Sequence, residues 1–213
     1  MRIDISRVHF PVTTLGPGRR LGIWLQGCSI RCPGCISPDT WDQGLGETTL
    51  DALTEQIETW LMDADGVTIS GGEPFEQPLA LAALLSAIRK TTARSILVFT
   101  GLPWDRVAPW FLEHPGLVDA VIAEPFDRTA PQTKALRGSD NQTLHLLTDL
   151  GRASFADFER DRTAADKRLD VMFDDTGGAW FAGIPERGDF DRLRLGLRRA
   201  GHQITLRDRT NAL

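Results

Sequence analysis

The chain has only three cysteines in 213 residues, four histidines, three methionines and no tyrosine. So few cysteines, all within Cys28–Cys35, exclude a disulfide framework of the secreted kind and a second iron–sulfur site built from cysteine alone. The absence of tyrosine removes it as a catalytic acid, base or radical carrier. No apolar run approaches the ~18 residues of a membrane span. Met1-Arg2-Ile3-Asp4 carries no apolar signal region. The expectation is a soluble, cytoplasmic protein with no membrane partner. With a net charge of -5, nothing electrostatic favours a nucleic-acid partner. The arginines between Arg187 and Arg209 are interleaved with Asp189, Asp191 and Asp208, as on a solvated helix face.

What is present reads as strands alternating with helices. Gly22–Gln26, Val67–Ser70, Ser95–Phe99, Asp119–Ala123 and Thr143–Leu147 are apolar runs of strand length. Between them, Leu50, Leu53, Ile57, Trp60 and Leu61 recur at helical spacing behind Thr48 or Thr49. Pro78 opens a second helix carrying Leu81, Leu84, Leu85 and Ile88. Trp104–Leu112 predicts a short third helix that contains Pro109. Such alternation predicts an α/β fold with a parallel sheet and helical crossovers. Arg152–Arg168 is charged and weakly periodic, hence a surface helix or linker. Leu169–Phe173 and Ala179–Ala182 flank Asp174–Gly178 as a hairpin, and Phe190, Leu193, Leu197 and Ala200 mark an amphipathic helix ending at Gly201. The expected division is a core over residues 1–150 and a C-terminal extension over 151–213.

The chemistry lies in Cys28-Ser-Ile-Arg-Cys32-Pro-Gly-Cys35. Three thiolates from one loop can hold three irons of a [4Fe–4S] cube and leave the fourth iron open to a small molecule. The alternative is zinc, completed to Cys3His by His9, His114, His145 or His202, although none stands near the loop in sequence. Gly71-Gly72-Glu73-Pro74 directly follows an apolar strand. Two glycines permit a tight turn and close backbone approach, and the carbonyls with the Glu73 carboxylate could accept hydrogen bonds from an ammonium group. By itself such a turn is an ordinary strand-to-helix connection.

Together the cysteine loop and the glycine turn resemble the two signatures of the radical S-adenosylmethionine superfamily, in the same order. The resemblance implies a partial (β/α)6 barrel of TIM-like type, with a [4Fe–4S] cluster and S-adenosylmethionine at the C-terminal ends of its strands. It implies that Cys28, Cys32 and Cys35 are the metal ligands and catalytic residues. The cofactor-binding residues it implies are Gly71, Gly72, Glu73 and Pro74, joined by Ser70, Thr100 and Asn141. The implied reaction is reductive cleavage of the sulfonium to a 5′-deoxyadenosyl radical that abstracts hydrogen.

Further blocks resemble the anaerobic ribonucleotide reductase activating proteins: Gly16-Pro17-Gly18-Arg19-Arg20, Gln26-Gly27-Cys28, Cys32-Pro33-Gly34-Cys35, Thr40-Trp41-Asp42, Ser70–Phe75, Thr100-Gly101 and Arg137–Gln142. They run from about residue 5 to residue 148. That resemblance implies a glycyl-radical-type partner protein, and an electron donor such as flavodoxin or ferredoxin. Gly34 stands where many superfamily members carry an aromatic residue, a choice the activating-protein branch shares. The competing readings are modification of a peptide or small molecule, and a non-catalytic metal-cluster interaction module. His145, Gln142 and Glu124 each admit a site role or a structural one, and Trp41 follows the loop closely enough to shield iron from solvent.

Overall fold

The structure is a computed structural model that describes residues 1–173 and 178–202. Its centre is a seven-stranded mixed sheet in the order β3-β1-β2-β4-β5-β6-β7. The strands are β1 (Arg2–Val12), β2 (Arg20–Leu25), β3 (Glu47–Thr49), β4 (Gly66–Gly71), β5 (Ser95–Phe99), β6 (Ala120–Ala123) and β7 (Thr143–Leu146). The pairs β2–β4, β4–β5 and β5–β6 are parallel. Helices α1 (Leu50–Asp63), α2 (Pro78–Thr91) and α3 (Trp104–Glu113) make the crossovers between them.

Strand alternation divides the core into two faces, because successive side chains point to opposite sides. Leu21, Ile23, Leu25, Val67, Ile69, Ile96, Val98 and Val121 pack with Leu53, Ile57, Leu81, Leu84, Leu85, Val107 and Phe111 of the three helices. The residues between them face the other way: Leu97, Ala120 and Ile122 meet Leu136 and Phe155, while Val12 and Trp24 meet Met172 and Ala182. All three crossover helices therefore cover one face of the sheet. Two of the starts follow local chemistry: the Thr49 hydroxyl accepts from Ala52 N at 3.2 Å to cap α1, and Pro78 occupies the first turn of α2.

The α/β expectation holds, but the sheet is not uniformly parallel. β7 was expected as a further parallel strand, yet it runs antiparallel to β6, pairing Ala123 with Thr143 and Ala120 with Leu146. The reason is the connection: no helix lies between Ala123 and Thr143, so the chain turns back at the same end of the sheet. β1 and β3, which the hydrophobic pattern did not announce, add antiparallel strands at the other edge. Their charged and polar residues (Arg2, Asp4, Ser6, Arg7) and two register shifts hide the alternation.

Helix α3 runs through Pro109, one residue further than expected; the missing N–H forgoes one bond, to the Asp105 carbonyl. The segment expected as a surface helix or linker is the short helix α4 (Asp149–Phe155) followed by 3-10 turns, and its Phe155 is fully buried. β8 (Leu169–Phe173) and β9 (Ala179–Gly183) pair as the expected hairpin; Asp174–Gly177 of its turn lie outside the described residues. Helix α5 (Asp189–Arg199) follows, with no buried residue. Among the described residues, no helix is long and apolar enough to cross a membrane.

Candidate functional site

The parallel strands β2, β4, β5 and β6 all point their C-terminal ends the same way, so the segments after Leu25, Gly71, Phe99 and Ala123 emerge together. The first carries the three cysteines and the second the glycine turn. Backbone bonds join them: Gly72 N donates to Leu25 O and Glu73 N to Gly27 O, both at 2.8 Å. The two glycines make this approach possible. A Cβ at Gly72 would stand 2.0 Å from Gly27 O, and one at Gly71, whose φ is +108°, would stand 2.5 Å from Leu25 N and O. The close backbone approach expected of these glycines is thus made to the chain itself.

The cysteine loop is closed by the segment that follows it. Gly27 N donates to Thr40 O at 2.8 Å and Cys28 N to Trp41 O at 3.0 Å. Gln26 Nε2 donates to Asp42 O at 2.7 Å. Glu76, just beyond the glycine turn, accepts from Ser29 N at 2.5 Å and from Gln43 Nε2 at 3.1 Å. Its partial burial alone would raise its pKa, but these donors outweigh that and hold it below the ordinary carboxylate range. Glu76 was not singled out in the sequence; its only signal there is an acid three residues after Glu73.

Each thiol is half-buried and cradled by N–H donors. The backbone N–H groups of Ile30 and Arg31 favour the Cys28 thiolate, and those of Phe126 and Cys32 itself favour the Cys32 thiolate. Ser37 N donates to Cys35 Sγ at 3.4 Å, and the Trp41 indole faces the same sulfur. Burial nonetheless pushes all three thiols up, Cys35 to about 11. The bare loop therefore holds neutral thiols, and a metal must displace their protons. Thiols in a ring of N–H groups fit an iron–sulfur cluster, whose sulfurs accept such bonds.

The histidines do not complete a zinc site. His9 packs edge-on against Trp180, His114 stacks on Trp110 at 4.3 Å, and His145 stacks on Trp104 at 3.8 Å. His202 follows α5. Among the described residues, no three His, Cys, Asp or Glu side chains form a single-ion cage.

Glu73 is 1% exposed, and its carboxylate is occupied within the chain. Oε1 accepts from Phe75 N at 2.9 Å and Thr100 Oγ1 at 2.8 Å, and Oε2 accepts from Gly101 N at 2.8 Å. Burial pushes its pKa up against these bonds. Thr100 and Glu73 thus tie the end of β5 to the glycine turn. Ser70 lies in register beside Trp24, on the face away from the crossover helices. Asn141 is exposed, and its Nδ2 donates to Pro125 O at 2.8 Å. Gln142 Nε2 donates to Glu124 O at 3.2 Å, and Glu124 Oε1 accepts from Trp104 N at 3.0 Å. These last three shape the exit of β6. Two cavities, of about 260 and 370 Å³, lie elsewhere and include none of the cysteines or turn residues.

With this geometry in view, the family described as the 4Fe-4S single cluster domain matches residues 14–145, well over half of the chain. An anaerobic ribonucleoside-triphosphate reductase-activating protein of Escherichia coli is 28% identical over 149 residues, 65% of this chain and 96% of that protein. A pyruvate formate-lyase-activating enzyme of Streptococcus mutans is 30% identical over 151 residues, 64% of this chain and 57% of that enzyme. The crystal structure of QueE from Escherichia coli overlaps 47% of this chain and 53% of its own, with a TM-score of 0.41 and 23% identity.

Proposed function

Because the chain belongs to the 4Fe-4S single cluster domain family, we propose that its cysteine loop and glycine turn work as the active site of a glycyl-radical activase. The chain is a radical S-adenosylmethionine enzyme of activase-like type, and its cofactors are a [4Fe–4S] cluster and S-adenosylmethionine. The observation that carries the reading is that these two segments form one hydrogen-bonded unit at the C-terminal ends of parallel strands, through Gly27 O, Glu73 N, Ser29 N and Glu76.

In this reading Cys28, Cys32 and Cys35 each hold one iron, leaving the fourth open. Gly71, Gly72, Glu73 and Pro74 frame the cofactor's ammonium group through their backbone. Ser70 and Asn141 stand at the same end of the sheet as further cofactor contacts, and Thr100 keeps Glu73 and the turn in place. The chemistry supplied when both groups are bound is reductive cleavage of the sulfonium C–S bond, followed by hydrogen abstraction. The substrate is the Cα hydrogen of a glycine in a partner protein, and the electron comes from a flavodoxin- or ferredoxin-like donor in the cytoplasm. We read the four parallel strands, with every crossover helix on one face, as a shortened (β/α)6 barrel forming a core of residues 1–150, and residues 151–213 as a C-terminal extension whose described part packs on that core.

The test is anaerobic reconstitution with iron and sulfide, reduction with dithionite, addition of S-adenosylmethionine and assay for 5′-deoxyadenosine. The product should form, and Cys32→Ala should abolish it. An assembled cluster that yields none with any candidate partner present would leave a non-catalytic cluster module.

One observation favours a second reading, modification of a peptide or small molecule. The hairpin, which lies beyond the family match, sets Trp180 against Trp24 and His9 on the sheet face away from the crossover helices. That would narrow the space open to a large substrate. A glycyl-radical signal on a large subunit encoded nearby would exclude this reading.

A further inference from the structure

Trp41 touches both ends of the cysteine loop. Its backbone carbonyl accepts from Cys28 N at 3.0 Å. Its indole lies at the other end, against Cys35. The indole Nε1 is buried away from water and has no partner at ordinary hydrogen-bonding geometry. A buried N–H without an acceptor is costly, so its placement calls for an explanation. It faces the Cys35 sulfur, to which Ser37 N already donates at 3.4 Å. A thiol sulfur is a weak acceptor, whereas a cluster-bound thiolate is a strong one. The orphaned donor is thus positioned for the metal-loaded state.

We propose that Trp41 is a positioning residue that donates its indole N–H to the Cys35 thiolate of the bound cluster and raises the cluster's reduction potential. The inference rests on the proposed cluster site. Reduction adds an electron, and a donor to a cluster sulfur stabilises the more negative form. The carbonyl bond to Cys28 keeps the indole in place without relying on the indole itself. Trp41→Phe therefore removes the N–H and preserves most of the packing and the whole backbone latch.

The experiment is a redox titration of the reconstituted holoprotein, followed by electron paramagnetic resonance of the reduced cluster. With iron and sulfide content equal to that of the unaltered protein, Trp41→Phe should be about tenfold harder to reduce at a given potential, a downward shift of about 59 mV for one electron. An unchanged or higher midpoint would overturn the inference and leave the proposed function standing. Failure of the unaltered protein to assemble a cluster would instead overturn the functional reading beneath it. If Trp41→Phe fails to assemble, the unaltered protein labelled with ¹⁵N at its indole nitrogens decides the matter. Electron–nuclear double resonance should then detect one ¹⁵N coupled to the reduced cluster, and no such coupling would sink the assignment.

Discussion

Glu73 shows how differently one residue reads in sequence and in the fold. Beside two glycines its carboxylate looks available to a ligand's ammonium group; in the structure it is enclosed and accepts from Phe75 N, Thr100 Oγ1 and Gly101 N. The sequence could not show this, because two of the three donors lie more than twenty residues downstream and reach Glu73 only once β4 and β5 pair. Glu73→Gln tests the arrangement. An amide presents one acceptor and one donor group, so its NH2 must face a backbone N–H that the carboxylate oxygen now accepts. The variant should lose about 1–3 kcal/mol of stability, visible as a lower thermal midpoint, and should assemble less cluster. An unchanged midpoint would mean that the three bonds contribute nothing net. The cysteine spacing, by contrast, is local, so it can be read without any tertiary partner.

At the scale of elements, the helices and central strands were legible wherever apolar residues recur at one clear period, as in α1, α2, β4 and β5. β1 was not, because it is an edge-side strand with polar residues and two register shifts. Nor could periodicity reveal the direction of β7, which depends on the connection from β6. The hairpin was legible from its pattern, but its anchor was not. Asp170 accepts from Thr13 N at 2.6 Å, Thr13 Oγ1 at 2.8 Å and Thr14 Oγ1 at 2.9 Å, across more than 150 residues of chain. Asp170→Ala removes all three acceptor contacts and leaves the contacts of Met172, Ala182 and Trp180 on the sheet. The hairpin should open locally before the rest of the fold, so amide exchange across Leu169–Phe173 and Ala179–Gly183 should quicken while α1 and α2 stay protected. Equal acceleration everywhere would show instead that hairpin and core form a single cooperative unit.

Over the whole molecule, the two ends of the parallel strands do different work. The cluster end collects loops, while the opposite end is closed by Arg20, the first residue of β2. Arg20 is fully buried, and all five of its N–H donors find acceptors: Thr68 Oγ1 at 2.6 Å, Pro17 O at 3.3 Å, Ser95 Oγ at 3.1 Å, Val67 O at 2.6 Å and Ser95 O at 2.9 Å. Its guanidinium also lies over the Phe155 ring at 5.2 Å. Burial pushes its pKa down, yet a guanidinium with every donor satisfied keeps its proton. One side chain thus joins β2, β4, β5 and the loop at Pro17. Lysine cannot replace it, since an ammonium offers three donors from a single point and would leave buried acceptors unmet. Arg20→Lys should cost at least about 3 kcal/mol and lower the thermal midpoint sharply. Arg20 is separated from the cysteines by the full length of β2. The fraction of Arg20→Lys protein that stays folded should therefore bind iron in the same ratio per chain and show the same cluster midpoint potential as the unaltered protein. A shifted potential at equal iron content would mean that the base of the sheet and the cluster loop are coupled. A lower melting temperature with an unchanged potential would assign this end of the sheet to holding the scaffold and the other end to the chemistry.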